Sequence, residues 1–95
     1  MSYELEFLPS ARREWNKLPK PVQAQFRKKL AERLEEPHVP KSRLSGAPNC
    51  YKIKLRSSGY RLVYRSYKQR LIVEVIAIGK RDKGDVYEKM MDRLN

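Results

Sequence analysis

Several residue types that define whole classes of protein are scarce in this 95-residue chain. Its one cysteine, Cys50, makes an internal disulfide impossible and favours a reducing compartment. Cys50 and the single histidine, His38, cannot supply four zinc ligands of the Cys and His type, so we expect no structural metal. No apolar run approaches the roughly 20 residues of a membrane span, and residues 1–4 do not begin a secretory signal. The sequence therefore predicts one cytoplasmic domain over residues 1–95 that does not bind a membrane.

Acidic residues are also few, since 11 Asp and Glu stand against 22 Lys and Arg and give a net charge of +11. The excess is greatest at residues 52–83, with ten basic residues and two acidic ones, Glu74 and Asp82. Residues 1–51 hold ten basic and six acidic residues. Such an excess favours a polyanionic partner, nucleic acid first, which would bind the C-terminal half. A soluble domain with a well-solvated surface is the alternative.

The hydrophobic periodicity predicts the order strand, helix, helix, three strands, helix. Strands are predicted at residues 3–7, 50–56, 60–67 and 71–78, and helices at 11–18, 21–35 and 85–94. Ser10 is the expected N-cap of the first helix, and Gly79 the expected end of the last strand. This order predicts an α+β fold, in which an antiparallel-type sheet carries an N-terminal helical hairpin and a C-terminal helix. Helices are expected on one face of the sheet, leaving the other open to bind a partner.

The hairpin between the second and third strands has a predictable register. A two-residue loop at Ser57 and Ser58 pairs Arg56 with Gly59 and places the strand residues opposite one another. Side chains alternate between the two faces. One face then collects apolar residues: Tyr51, Ile53, Leu55, Tyr60, Leu62 and Tyr64.

The other face of the hairpin collects Lys52, Lys54 and Arg61, with Arg65 near its far end. Like charges opposite one another across a ladder are destabilising, so this cluster of cations suggests a functional surface. A solvated outer face that blunts aggregation explains the same spacing equally well.

The remaining chemically versatile residues give weaker signals. Tyr87, at the start of the last helix, fits packing against the sheet as well as catalysis. His38 lies in a proline-bounded loop and is expected at the surface rather than in catalysis. Trp15 and Phe26 are expected in the core, and Cys50 is expected to be a small buried or half-buried residue rather than a nucleophile.

The segment Cys50–Tyr64, CYKIKLRSSGYRLVY, closely resembles the RelE toxins of bacterial type II toxin–antitoxin pairs, as do residues 78–81 and 86–87. The resemblance covers essentially the whole chain. It implies the RelE-like fold and a toxin that cleaves messenger RNA in the ribosomal A site, without metal or cofactor. It also implies three partners, which are a RelB-like antitoxin, the 70S ribosome with its ribosomal RNA, and operator DNA only through the antitoxin complex.

The resemblance assigns catalysis to five residues: Lys52, Lys54, Arg61, Arg81 and Tyr87. Further cations are expected to bind RNA: Arg43, Arg56, Arg65, Lys80 and Lys83. Because neighbouring positive charges lower the pKa of a lysine from about 10.4, Lys52 or Lys54 is the expected general base. Arg61 would stabilise the phosphorane, and Tyr87 would stack on a base and orient the 2′-hydroxyl. Arg81 would be a second clamp or the donor near the leaving oxygen.

Two other functions remain compatible with the sequence. A toxin of the ParE type shares the architecture but acts on DNA gyrase, and it lacks the set of cations named above. A non-enzymatic nucleic-acid-binding module would use the same cations only to hold phosphates.

Overall fold

A computed structural model describes residues 2–80 and 85–94 of the chain. Three helices and a short 3-10 turn accompany four strands, and the predicted element order is confirmed. The elements are β1 (Glu4–Phe7), α1 (Pro9–Asn16), α2 (Lys20–Glu35), the 3-10 turn (Pro40–Ser42), β2 (Cys50–Lys54), β3 (Tyr60–Tyr67), β4 (Ile72–Lys80) and α3 (Asp85–Leu94). No helix within these described ranges has the length and apolarity to cross a membrane.

The sheet is mixed, with the strand order β1-β4-β3-β2, so the expectation of an antiparallel-type sheet is wrong for one pair. β2, β3 and β4 form an antiparallel meander, but β1 runs parallel to β4, with Leu5 opposite Val73. Local turns determine the meander, whereas β1 reaches its partner only after the helices and two other strands. The α+β class itself is confirmed.

Helices cover both faces of the sheet, so the prediction of one covered and one open face is wrong. α1 and α2 pack on one face, where Trp15, Phe26 and Leu30 meet the apolar face of the hairpin. α3 packs on the other face, where Val86 and Met90 form a second core. This second core also contains buried residues of the strands and of the loop before β2: Ala47, Cys50, Val63, Ile76 and Ala77. β4 is buried on both sides because it is central, as its nearly continuous apolar sequence indicates.

The hairpin between β2 and β3 has the predicted register, with Lys54 opposite Arg61. Its loop is longer than predicted. The Gly59 amide donates to the Leu55 carbonyl at 2.9 Å, so residues 56–59 form the loop and Arg56 does not pair with Gly59. Gly59 has φ +78°, a left-handed conformation that glycine adopts without strain. The register survives because Leu55 still pairs with Tyr60, whose carbonyl accepts from the Leu55 amide at 2.9 Å.

Several predicted element ends are displaced by one or two residues. α1 starts at Pro9, because proline suits the first helical turn, and Leu8 rather than Ser10 precedes it as the N-cap. β4 continues through Gly79, which pairs with Arg61, to Lys80. The end of β4 therefore lies beside the cations of the hairpin.

Glu14 of α1 joins three elements through its carboxylate. It accepts hydrogen bonds from the Arg93 guanidinium at 2.9 and 3.0 Å and from the Ile78 amide at 3.1 Å. Lys89 forms an ion pair with it at 2.8 Å. Burial raises the pKa of Glu14, but the hydrogen bonds from Arg93, Lys89 and Ile78 lower it more, so the net pKa lies below its ordinary value. The charged form is thus the one that holds α1 and α3 to β4.

Replacing Glu14 with glutamine is expected to lower the free energy of unfolding by about 2 kcal/mol at pH 7, since Arg93 loses its carboxylate. A depressed pKa stabilises the fold above the ordinary value of 4.5 and ceases to do so as the pH falls through the folded-state pKa. The difference between wild type and variant should therefore shrink in acid. Urea unfolding at pH 7 and pH 3 measures it, with Glu6→Gln at an exposed carboxylate as the control. An equal deficit at both pH values would contradict the assignment.

Candidate active site

Three cations meet on the face of the hairpin that α3 borders. Lys52 and Lys54 alternate with buried residues of β2, and Arg61 lies directly opposite Lys54 on β3. Lys54 is exposed, whereas Lys52 and Arg61 are half-buried. Side chains alternate between the two faces of the hairpin, so Ile53 and Leu62 point into the core under α1 and α2. The three cations therefore lie together on the opposite face. The predicted clustering of Lys52, Lys54 and Arg61 is therefore present in the structure.

Tyr87 joins these cations from α3. The Arg61 guanidinium donates a hydrogen bond to the Tyr87 hydroxyl at 2.9 Å and lies 5.8 Å from the centroid of its ring. The ring is half-buried and packs against the second core. The packing that the sequence left as one alternative is present, because the core fixes the ring and leaves its hydroxyl on Arg61. The catalytic role, which is the other alternative, stays a prediction. Because the resemblance to the RelE toxins implies catalysis for all four, Lys52, Lys54, Arg61 and Tyr87 are called the catalytic cluster below.

The crowding of positive charge perturbs the protonation of Lys54. The positive charge of Lys52 lowers the pKa of Lys54 most, and the charge of Arg61 lowers it further. Lys54 is solvent-exposed, so its neighbours rather than burial in the interior cause the shift. A lysine with a lowered pKa holds a larger neutral fraction near neutral pH and can accept a proton.

The cations expected to bind RNA are only partly brought to this cluster. Arg56 is exposed in the hairpin loop, two residues from Lys54. Lys80 ends β4 opposite Tyr60 and lies 5.4 Å from the centroid of its ring. Arg43 is exposed in the segment before β2, and its backbone forms an isolated antiparallel β-bridge with Tyr51.

Arg65 lies away from the catalytic cluster, at the other end of β3 opposite Cys50. It is four residues from Arg61, roughly 13 Å along a strand, and its guanidinium lies 5.2 Å from the centroid of the Tyr67 ring. The structure therefore does not bring Arg65 together with the four residues of the cluster. Arg81 and Lys83, which the sequence analysis also selected, lie outside the described residues.

His38 and Cys50 take no part in the cluster. The half-buried His38 ring forms a 2.8 Å hydrogen bond with the Ser66 hydroxyl and has edge contacts with Tyr3 and Tyr51, so the surface position predicted for it is only partly correct. Cys50 is fully buried, as predicted, and burial raises the pKa of its thiol. A raised pKa keeps the thiol protonated and unreactive.

Sequence reasoning missed a second group of cations beside the cluster. A cleft of about 390 Å³ opens at the outer edge of β2, between the C-terminal half of α2 and the 3-10 turn. This basic cleft is lined by Lys29, Arg33, Lys41, Ser42, Lys52, Lys54 and Arg56. Lys29 and Arg33 are four residues apart and so share one helix face, a signal visible in the sequence. That this face lies against the edge of β2 is a tertiary fact that the spacing does not carry.

Comparison with known proteins gives one family and several close relatives. A family described as the ParE toxin of the type II toxin–antitoxin system, parDE, matches residues 5–84. The mRNA interferase toxin RelE of Escherichia coli (strain K12) is 48% identical over 94 residues, 99% of each chain. A mutant of the E. coli toxin RelE in the free state aligns with a TM-score of 0.93 at 46% identity over 100% of both chains. A chain of the intact E. coli RelBE toxin–antitoxin complex aligns with a TM-score of 0.83 at 49% identity, covering 86% of this chain and 100% of its own.

Proposed function

Because this chain belongs to the RelE-type toxins of type II toxin–antitoxin systems, we propose that it is an mRNA interferase that cleaves messenger RNA in the ribosomal A site and so inhibits translation. The observation that carries the proposal is the catalytic cluster, in which Lys54, Arg61 and Tyr87 meet beside Lys52. The similarity to a named mRNA interferase extends over 99% of each chain.

RNA supplies its own nucleophile, so the protein needs to move protons and stabilise charge. Lys54 takes the proton from the 2′-hydroxyl, and the 2′-oxygen attacks the adjacent phosphorus. The bond from phosphorus to the 5′-oxygen breaks, leaving a 2′,3′-cyclic phosphate and, once the leaving oxygen gains a proton, a 5′-hydroxyl. Lys54 is the proposed base because it lies directly opposite Arg61 and because the charges of Lys52 and Arg61 lower its pKa.

Arg61 stabilises the phosphorane, on which additional negative charge develops. Its planar guanidinium stays protonated and fits two phosphate oxygens at once. The hydrogen bond to Tyr87 uses Nη1 and leaves the rest of the fork available to the phosphate. Tyr87 thereby aims Arg61 and offers its ring to a base, while the resemblance assigns protonation of the leaving oxygen, or a second clamp, to Arg81.

Removing the Tyr87 hydroxyl tests its positioning role. Tyr87→Phe keeps the ring and its packing but leaves Arg61 without its 2.9 Å acceptor. We expect kcat/KM for cleavage to fall about 10-fold, the equivalent of one charged hydrogen bond of roughly 1.4 kcal/mol. Single-turnover cleavage measures the change, with Tyr3→Phe at the far edge of the sheet as the control. Full activity in Tyr87→Phe together with a defect in Tyr87→Ala would leave only a stacking role.

Dependence on the ribosome follows from the modest strength of this catalytic set. An exposed lysine is mostly protonated near neutral pH and is therefore a poor general base. The rate then relies on a substrate held with the 2′-oxygen in line with the leaving oxygen. The ribosome would supply that alignment, and a net charge of +11 suits binding among ribosomal RNA phosphates. Binding should therefore weaken steeply as salt is added.

A RelB-like antitoxin is the proposed neutralising partner. A matching structure is that of the RelBE toxin–antitoxin complex of E. coli, which aligns with 86% of this chain. An acidic or amphipathic antitoxin would lie over the cationic face or displace α3. Displacing α3 would remove Tyr87 from Arg61 and so disassemble the catalytic cluster. Operator DNA would be bound only by the complex, through the antitoxin.

Primer extension on messenger RNA tests the proposed function. Purified protein is added to translating ribosomes, and matched reactions contain free RNA or the Arg61→Ala variant. New RNA ends within A-site codons, absent from both controls, are the expected result. If the folded wild-type protein produces no new ends, the proposal is overturned. The family match described as a ParE toxin makes a DNA gyrase supercoiling assay the next measurement in that case.

A further inference from the structure

The basic cleft is separate from the catalytic cluster but shares a wall with it. Lys52 and Lys54 of β2 line it on one side, and Lys29 and Arg33 of α2 line the other. Lys54 also faces the space beside Arg61 on the hairpin. Lys52 and Lys54 therefore belong to both groups of cations, whereas Lys29, Arg33 and Lys41 have no role in the proposed chemistry.

Arg33 is held rigidly inside this cleft. Its Nη1 donates to the Tyr64 hydroxyl at 2.9 Å and to the Lys52 carbonyl at 3.3 Å, and its Nη2 donates to the Ser42 hydroxyl at 3.0 Å. Tyr64 in turn donates to the Pro37 carbonyl at 2.7 Å. The guanidinium is thus fixed before any ligand arrives, so little entropy is lost when one binds.

Within the described part of the chain, the cations of the cleft form no ion pair with a carboxylate. There, the carboxylates that form ion pairs are Glu14 and Glu36, and their partners are Lys89, Arg93 and His38. The neutral oxygens around Arg33 satisfy its hydrogen bonds but not its charge. Lys29, Lys41 and Arg56 add exposed cations at the rim. Gathering like charges is unfavourable unless an anion is bound.

We propose that the basic cleft binds a phosphate of an RNA backbone outside the cleaved linkage, with Arg33, Lys29 and Lys41 as the new ligands. Among the described residues, every side chain that lines the cleft is cationic except Ser42, and none is an apolar anchor of the kind that a peptide partner requires. A fixed guanidinium flanked by lysines is the arrangement that recognises phosphate oxygens. The inference deepens the proposed function, on which it rests, by adding a second contact with RNA.

The shared wall gives this contact a mechanical consequence. Arg33 donates to the main-chain carbonyl of Lys52, so a phosphate on Arg33 is fixed relative to the strand that carries Lys52 and Lys54. The RNA would be gripped on both sides of the β2 edge. Such a grip helps to align the 2′-oxygen with the leaving group, and a poor general base makes the rate depend on that alignment.

The test removes two rim lysines that have no part in the catalytic cluster. Lys29→Gln/Lys41→Gln changes two exposed positions, and Lys17→Gln/Lys20→Gln makes the same charge change near the other end of α2. Fluorescence anisotropy measures binding of a 2′-O-methyl RNA dodecamer, which lacks the nucleophile and cannot be cleaved. The dissociation constant is measured across a salt series, because its salt dependence counts phosphate contacts.

We expect the cleft variant to bind about 10-fold more weakly than the control and its log–log salt slope to decrease in magnitude by about 0.7, the value of one single-strand phosphate contact. Equal affinities and slopes for the two double variants would overturn the inference. Unchanged RNA binding with weakened binding of poly-L-glutamate, measured in parallel, would also overturn it, since the cleft would then recognise acidic protein.

A second arm identifies the source of the phosphate and separates this inference from the proposed function. Both double variants are bound to 70S ribosomes with either a 2′-O-methyl A-site codon or no messenger RNA. A cleft-specific defect seen only with the codon assigns the phosphate to messenger RNA, and a defect in both assigns it to ribosomal RNA. If the wild-type protein cleaves messenger RNA but the two double variants bind RNA equally, the proposed function stands and the proposed role of the cleft is refuted. If the wild-type protein does not cleave but the cleft variant binds RNA more weakly than the control variant, the proposed function is refuted and the cleft stands.

Discussion

Arg61→Ala is expected to lower the rate of messenger RNA cleavage on ribosomes by about 100- to 1000-fold, the usual loss when one electrostatic donor to a transition state is removed. Arg61 is the one permanently charged side chain of the catalytic cluster, since Lys52 and Lys54 can lose their protons. Its half-buried stem and the bond to Tyr87 fix its direction. A fixed donor needs no reorganisation as the phosphorane forms, so its removal should reduce kcat more than it weakens binding.

The loss should separate chemistry from simple charge attraction. Arg13→Ala removes an exposed guanidinium from α1 and is the matched control, with an expected change of less than about threefold. Arg61→Lys keeps the charge but loses the planar fork, so we expect only partial recovery. Saturating single-turnover kinetics and thermal melts accompany each variant. A defect in Arg61→Ala that disappears at saturating protein would show that Arg61 only binds RNA.

The cationic face was predictable because it depends on local rules. The period of two in residues 51–55 and 60–64 sorts side chains between faces, and the short connection fixes Lys54 opposite Arg61. The register tolerates the incorrect loop type, since Leu55 still pairs with Tyr60 when the loop has four residues instead of two. Side-chain alternation therefore determined the clustering of the cations more reliably than turn chemistry did.

Placements that depend on long-range packing were not predictable in the same way. The amphipathic pattern of α3 shows that Val86 and Met90 are buried, but not which face of the sheet buries them. The face matters for the site, because Tyr87 lies beside Arg61 only when α3 packs on the sheet face opposite α1 and α2. The parallel pairing of β1 with β4 and the position of α2 against the edge of β2 are of the same kind. No spacing within one segment encodes them.

Charge crowding is the feature that unites the two groups of cations. The cluster and the basic cleft share Lys52 and Lys54, and the like charges on opposite strands oppose folding. The positive charge of Lys52 on the same strand, followed by that of Arg61 on the opposite strand, also lowers the pKa of Lys54. The proposed function would use this surface, which is costly for stability, as a base, an electrostatic clamp and a grip on RNA. The same physics predicts how the rate should respond to pH.

The rate of cleavage is expected to rise with pH as Lys54 loses its proton, because a general base acts in its deprotonated form. This rising part of the pH–rate profile is called the limb below. Lys54→Gln should abolish this limb and lower the rate by about 100- to 10,000-fold. Lys52→Gln should instead keep the limb and move it to higher pH. It removes the charge that lowers the pKa of Lys54 most, while Arg61 remains as the second cause. The pH dependence of kcat/KM is the quantity to measure, since it reports the free protein that the structure describes.

The two substitutions distinguish the candidate bases because their expected profiles differ in shape. If Lys52 were the base, Lys52→Gln would abolish the limb and Lys54→Gln would shift it. A profile that stays flat in wild type and in both variants would exclude any lysine base. Lys68→Gln, at an exposed position in the turn after β3, controls for the loss of one positive charge and should leave the limb in place. Because Lys54 is exposed, added salt should weaken the influence of Lys52 and move the wild-type limb toward higher pH, a shift that Lys52→Gln should largely remove.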